Sequence, residues 1–331
     1  VLSGQTTLRV ETLNDLLGKE LIAKLDRLDL ISRKVFGGKL PGERRSRRRG
    51  RSVEFDDFRA YVPGDDLRHI DWNILARLEK LVIKLFREDE DLALYLVVDA
   101  SPSMDAGEPS KLLAAHQIAM ALGYIGLVNR ARVVAASFGA SGDGRVRMLR
   151  PMRGRDSIER LATFMLERVR EGASYASSAR GRRGPQEQEG DFVNAMRTVA
   201  GSRAGRGVVI LLSDLLVPLE GARAGLGYLA GSAGFEGYAI QTLAPGEIDP
   251  QSLVEKGVVG DLRLMDAETG RAAEVTISGA LTKRYKARME AHQAEVARVC
   301  AARSITHLVV PTSTPTDELI VRSLRARRLV G

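Results

Sequence analysis

Apolar residues at Leu13, Leu16, Leu17, Leu21, Leu25, Leu28 and Ile31 recur every three to four positions. That spacing predicts an amphipathic helix from about Thr12 to Val35, ended by Gly37-Gly38. Leu81 to Arg87 reads as a strand, expected as a hairpin neighbour of the strand that follows it. From Leu92 the pattern changes to continuous apolar runs separated by amphipathic segments. Leu92–Val98 and Gly207–Ser213 read as buried strands, Arg132–Phe138, Gly237–Leu243 and Thr306–Val310 as strands, Arg145–Leu149 as a short strand and Val258–Met265 as a more exposed one. Helical spacing is found over Ser110–Asn129, Arg155–Val169, Asp191–Val199, 219–230, Ala280–Arg303 and Asp317–Arg327. Residues Arg170 to Gly190 are polar, glycine-bearing and without period, and are expected to form a long loop. Alternating strands and helices predict an α/β fold with a doubly wound, mainly parallel sheet.

Composition narrows the class. The 331 residues are 44% apolar and 28% charged, ordinary values for a globular protein. No uninterrupted apolar run approaches the ~18 residues of a membrane span, and no leader pattern opens the chain. A single cysteine, Cys300, excludes an internal disulfide framework. A cytoplasmic location is the expectation. The net charge of +8 is concentrated in Lys39, Arg44, Arg45, Arg47, Arg48, Arg49 and Arg51. Such a run could meet phosphate, an anionic surface or an acidic protein face. It lacks interleaved aromatics and helical spacing, so a solvated loop is favoured over a nucleic-acid site.

Candidate chemistry lies at two strand ends. Asp99-Ala-Ser101-Pro-Ser103 follows directly on Leu92–Val98, and Asp214 follows Gly207–Ser213. In open α/β sheets ligands sit outside the carboxyl ends of the strands. One carboxylate and two hydroxyls spaced two apart are hard oxygen donors suited to Mg²⁺ or Mn²⁺. The same short pattern also serves as an N-cap network for the next helix.

Asp99-x-Ser101-x-Ser103 resembles the first motif of the metal-ion-dependent adhesion site of von Willebrand factor A-like domains. Upstream, Tyr61-Val-Pro63-Gly64-Asp65-Asp66-Leu-Arg68-His-Ile-Asp71-Trp72, with Ala76-Arg77 after it, resembles the signature of a bacterial family called domain of unknown function fifty-eight. The likeness extends through Ser213-Asp214-Leu215 and the Glu268-Thr269-Gly270 turn. It implies a von Willebrand factor A-like domain over 91–331, preceded by an N-terminal helix, arginine-rich loop and hairpin extension over 1–90.

For the site, the resemblance implies that Ser101 and Ser103 bind a divalent ion directly, that Asp99 holds one of its waters, and that Asp214 supplies the third loop. The second-loop threonine falls at Gly190, leaving Asp191 to cap the helix or to reach the ion through water. Ser174, Ser177 and Ser178 are substitute hydroxyls in the preceding segment. Pro63, Gly64, Asp65, Asp66, Arg68, Asp71 and Arg77 are read as a turn and salt-bridge network, with Trp72 in the core. The resemblance further implies a non-enzymatic interaction module acting with a MoxR-type AAA+ ATPase on a client protein complex. Anion or nucleic-acid binding through 39–51 is the alternative.

Enzyme signatures are missing. A haloacid dehalogenase-type phosphatase needs Asp-x-Asp where Ser101 stands. No Gly-x-Ser-x-Gly, P-loop, Gly-x-Gly-x-x-Gly or His-Glu-x-x-His occurs. His69, His116, His292 and His307 have no metal-ligand spacing.

Overall fold

The computed structural model describes residues 12–29, 54–63, 65–87, 92–141, 143–177, 185–203, 206–230, 234–251, 261–265, 272–276, 278–327 and 329–331. The basic run at 39–51, Gly64, Ser178 and the 268–270 turn lie outside these residues. The chain forms two compact units, Val1–Lys34 with Leu92–Gly331, and Val35–Asp91.

The small unit holds an antiparallel pair, β1 (Glu54–Ala60) and β2 (Val82–Arg87), and the short helix α3 (Trp72–Leu78). β2 therefore pairs with β1, not with the strand after it as expected; an apolar run shows that a strand exists but does not choose its partner. The signature carboxylates build its turns. Asp65 takes a bidentate contact from Arg59, both at 2.9 Å, and Asp66 holds Arg68. Asp71 caps α3 by accepting from the Asn73 and Ile74 amides, and pairs with Lys84 at 3.0 Å. Pro63 and Arg77 are exposed. Trp72, expected in the core, is 62% exposed at the first position of the seven-residue α3, while Ile70 and Ile83 are the buried apolar residues of the unit among those described.

In the large unit, the expected N-terminal helix is two pieces, α1 (Leu13–Leu16) and α2 (Lys19–Leu25). The break at Leu17-Gly18 lets Leu16, Leu17 and Leu25 all turn inward. These helices belong with the large unit and not with the signature segment, so the expected 1–90 segment is divided. Tyr124 donates to Asp26 Oδ1, Asn129 to the Leu28 carbonyl, and Asp29 and Gly331 exchange backbone hydrogen bonds.

The main sheet is built from β3 (Leu92–Asp99), β4 (Arg132–Phe138), β5 (Arg147–Met148), β6 (Arg206–Ser213), β7 (Phe235–Leu243) and β10 (Ile305–Pro311). Its spatial order is β10-β7-β6-β3-β4-β5, parallel throughout except for β5 at one edge. β8 (Asp261–Met265) and β9 (Ala272–Thr276) form a separate hairpin. This is the doubly wound, mainly parallel sheet expected from the sequence. Every residue of β3 and β7 is buried, which is why these strands read as unbroken apolar runs.

Helix α4 (Lys111–Val128) packs beneath β3 and is apolar on all sides. It is long and apolar enough to cross a membrane, yet 83% of it is buried in the unit, as befits a core helix. The segment 170–190 is not a long loop. Helix α5 (Ile158–Ser177) runs into it and α6 (Pro185–Ser202) leaves it, so Ser174 and Ser177 are helical. Helices α7 (Leu219–Ala230), α8 (Pro245–Ile248), α9 (Gly279–Ala301) and α10 (Thr316–Glu318) follow, and α10 runs on into a π-helical stretch at Leu319–Leu324.

Candidate functional site

The winding of the sheet reverses between β3 and β6: the chain goes from β3 outward to β4 on one side, then returns to β6 on the other. A crevice at the carboxyl ends of two such strands is where doubly wound folds bind ligands. Asp99 ends β3, and Ser213-Asp214 ends β6.

The three residues are tied together. Asp99 Oδ1 accepts from the Ser101 amide at 2.9 Å and Oδ2 from the Ser213 hydroxyl at 2.6 Å. The half-buried Ser101 and Ser103 hydroxyls lie 3.2 Å apart. Gly139, at φ +80°, lets the loop after β4 close over this turn: a Cβ there would fall 2.8 Å from the Ser101 nitrogen. Beyond Asp214, Leu215 is buried with φ +52°, a left-handed conformation unfavourable for a leucine. It is held by its amide donating to Ser213 Oγ and by His292 Nε2, 2.8 Å from its carbonyl.

The feature not anticipated from the sequence is Lys111, the first residue of α4, which is 0% exposed. Its ammonium donates to Asp214 Oδ2 at 2.9 Å and to Glu247 Oε1 at 2.6 Å. Asp214 Oδ1 accepts from the Leu216 amide, and Gln241 donates to the Asp214 carbonyl. Glu247 lies on α8, just past β7, where its Oε2 accepts from the Ala244 amide. Three adjacent strands, β3, β6 and β7, thus bring Asp99, Asp214 and Glu247 to one edge, with Lys111 bridging the last two.

Burial pushes the Lys111 ammonium down, but Asp214 and Glu247 more than offset this, so it is held above the ordinary lysine range. Burial, with the nearby Asp214 charge, pushes Asp99 up to about 6, against the lowering effect of the Ser213 and Ser101 hydrogen bonds.

A model of the family described as "Protein of unknown function DUF58" matches residues 57–295, more than half of the chain. The chain belongs to the DUF58 family. The uncharacterized protein Rv1480 of Mycobacterium tuberculosis is 29% identical over 313 residues, 93% of this chain and 90% of its own length. An uncharacterized Mycobacterium avium protein, MAV169, is 33% identical over 146 residues, 44% of this chain and 81% of its own. Among solved structures, an aerotolerance-related membrane protein from Bacteroides fragilis is 13% identical, with a TM-score of 0.34 over 62% of this chain and 99% of that one. A von Willebrand factor type A protein from Catenulispora acidiphila is 16% identical, with a TM-score of 0.30 over 64% and 45%.

The residues of this DUF58 protein do not fit the three-loop divalent ion that the adhesion-site resemblance implies. Asp99, Ser101, Ser103 and Asp214 do gather at the crevice. Gly190, however, is an exposed helical residue of α6, with open space where its side chain would begin. The Asp191 carboxylate lies against Gly144, its Oδ1 2.7 Å from where a Cβ would stand there. The Asp214 oxygen that would face a cation already faces an ammonium. Among the described residues no group of three or more His, Cys, Asp or Glu side chains is arranged to hold a metal.

Three of the four histidines make structural contacts. His116 is sealed in α4 against the Leu112 carbonyl, His292 holds Leu215, and His307 meets Gln241 at 3.1 Å.

Proposed function

We propose that this DUF58 protein is a non-enzymatic interaction module that works in the cytoplasm beside a MoxR-type AAA+ ATPase, assembling or activating another protein complex. The observation that carries the reading is the apolar surface of the signature unit. Phe58, Val62, Leu67, Trp72, Leu78 and Leu81 are all exposed within 24 residues. They are six of the ten exposed large apolar side chains among the described residues. Isolated exposed leucines need no explanation, but six such side chains in one short segment support a protein-contact role, and tryptophan is among the side chains enriched at the energetic centres of such contacts. The ATPase is inferred from the family resemblance of the same segment.

The test is a pull-down from native lysate on immobilised full chain, in parallel with Trp72→Ala and with Leu67→Ser. Retention of an AAA+ ATPase by the wild type, lost in Trp72→Ala at unchanged thermal stability, is the expected result. Equal retention by both variants, or no ATPase among the retained proteins, would remove the proposal.

A further inference from the structure

Lys111 stands where two physical effects oppose it. Taking an ammonium wholly out of water is costly unless it is paired. The first turn of an 18-residue helix is also the positive end of its dipole, where a cation is disfavoured. A lysine that is fully buried at that position is there because the surroundings require a positive charge. Those surroundings are the carboxylates of Asp214 and Glu247, at 2.9 and 2.6 Å, with the Asp99 carboxylate beside Asp214. They come from three neighbouring strand ends, at the one place in the sheet where the fold builds a binding crevice.

We propose that Lys111 is the resident cation of this crevice, with its Nζ in the role that a divalent ion takes in an adhesion-type site, so that the site is complete without metal. Two further observations agree. The second loop, which would close a metal's coordination, is replaced by the continuous helix α6, with Gly190 exposed on it. The Asp99 turn is already hydrogen-bonded, with Asp99 held by Ser101 and Ser213 and the Ser101 and Ser103 hydroxyls 3.2 Å from each other. What the crevice then offers a partner is a pair of half-buried hydroxyls backed by a charge-compensated network. This assignment does not rest on the partner proposed above, and it is tested without one.

The experiment titrates EDTA-treated full-length protein with MnCl₂ and MgCl₂, followed by calorimetry and by thermal unfolding. Wild type is expected to show no saturable binding at this site and no shift of Tm at millimolar metal. Lys111→Ala opens space beside two uncompensated carboxylates. It should unfold at a lower temperature, gain Mn²⁺ affinity by about tenfold or more over wild type, and recover part of the lost Tm when Mn²⁺ is added. Adding Asp214→Asn to Lys111→Ala should abolish the gain. Saturable Mn²⁺ binding by wild type that Asp99→Asn or Ser103→Ala removes would overturn the proposal. Wild-type binding that survives both substitutions lies elsewhere and leaves Lys111 as the cation. Should Lys111→Ala fail to fold, the wild-type titration with these two variants decides alone.

Discussion

Removing the Asp214 carboxylate should destabilise the large unit more than removing Glu247, although both hold the same ammonium. The Asp214 side chain is 3% exposed and that of Glu247 22%, so loss of Asp214 leaves Lys111 turned toward the less buried partner with little access to water. At 2.9 Å and an effective dielectric near 20, the gross attraction in the Lys111–Asp214 pair is about 6 kcal/mol. Desolvation consumes much of this, but breaking a buried pair from one side typically costs about 3–5 kcal/mol, because the other charge stays behind. Asp214→Ala and Lys111→Met should each fall in that range, whereas Glu247→Gln should cost about half as much or less. The double variant Lys111→Met, Asp214→Ala removes both charges and should cost no more than the worse single one, a coupling of about 3 kcal/mol or more.

The assay is urea unfolding followed by far-UV circular dichroism. Fluorescence is unsuitable, since the one tryptophan, Trp72, belongs to the other unit. A fall in midpoint at unchanged slope reports stability alone, and the single variants should lose roughly 6–15 °C in Tm. Single effects that add within about 0.5 kcal/mol would show that the two side chains act independently and would refute the reasoning.

His116 is neutral in the core, its pKa lowered by burial from 6.5 to about 4, so the unfolded chain binds more protons between those values and stability should fall by about 3 kcal/mol as the pH drops from 6.5 to 4. Asp99, raised from 3.8 to about 6, acts in the opposite sense over nearly the same range. Urea midpoints at pH 7 and 4.5 should therefore decline more steeply in Asp99→Asn than in wild type and less steeply in His116→Leu, and identical slopes would count against both assignments. Gly139→Ala should cost about 2 kcal/mol or more, since its Cβ must enter backbone at Ser101 from a positive-φ position; a thermal scan at wild-type Tm would contradict this. Asp71→Ala should lower the unfolding midpoint of the small unit, read by Trp72 fluorescence, while leaving the dichroism transition of the large unit in place.

Much of the sheet was legible because its strands are buried on both faces, and an unbroken apolar run is a strong signal. The ends of those runs located Asp99 and Asp214 for the same reason. The segment 170–190 was misread because helix packing there is carried by small residues. At Gly172 the helix passes so near Leu112 that a Cβ would lie 3.0 Å from its Cδ2, and an apolar stripe cannot be seen where glycine is the buried residue. In α6 the stripe begins only at Phe192, continuing through Ala195, Met196 and Val199, so its first two turns look like loop. Trp72 was misplaced on the opposite ground. Its type favours burial, but it opens the short helix α3, and among the described residues of its unit the buried apolar positions are Ile70 and Ile83 instead.

Lys111 escaped sequence reasoning for a different reason. A lysine beside a helix cap reads as a solvated end, and nothing local contradicts that. The groups that hold it are 103 and 136 residues away, and only the order of the strands brings them together. That order also explains why a cation is needed. A doubly wound sheet gathers the ends of adjacent strands at its switch point, and here three of those ends carry carboxylates. Hydrogen bonds from Ser101 and Ser213 serve Asp99, but β6 and β7 deliver Asp214 and Glu247 to one spot, where hydroxyls and amides alone would leave two neighbouring like charges repelling each other. The helix after β3 must begin beside that spot, because the first crossover starts at the same edge. A long, flexible cationic side chain at its first position is therefore within reach of both carboxylates. The same geometry that makes this edge a place for a bound ion lets the chain supply the charge itself.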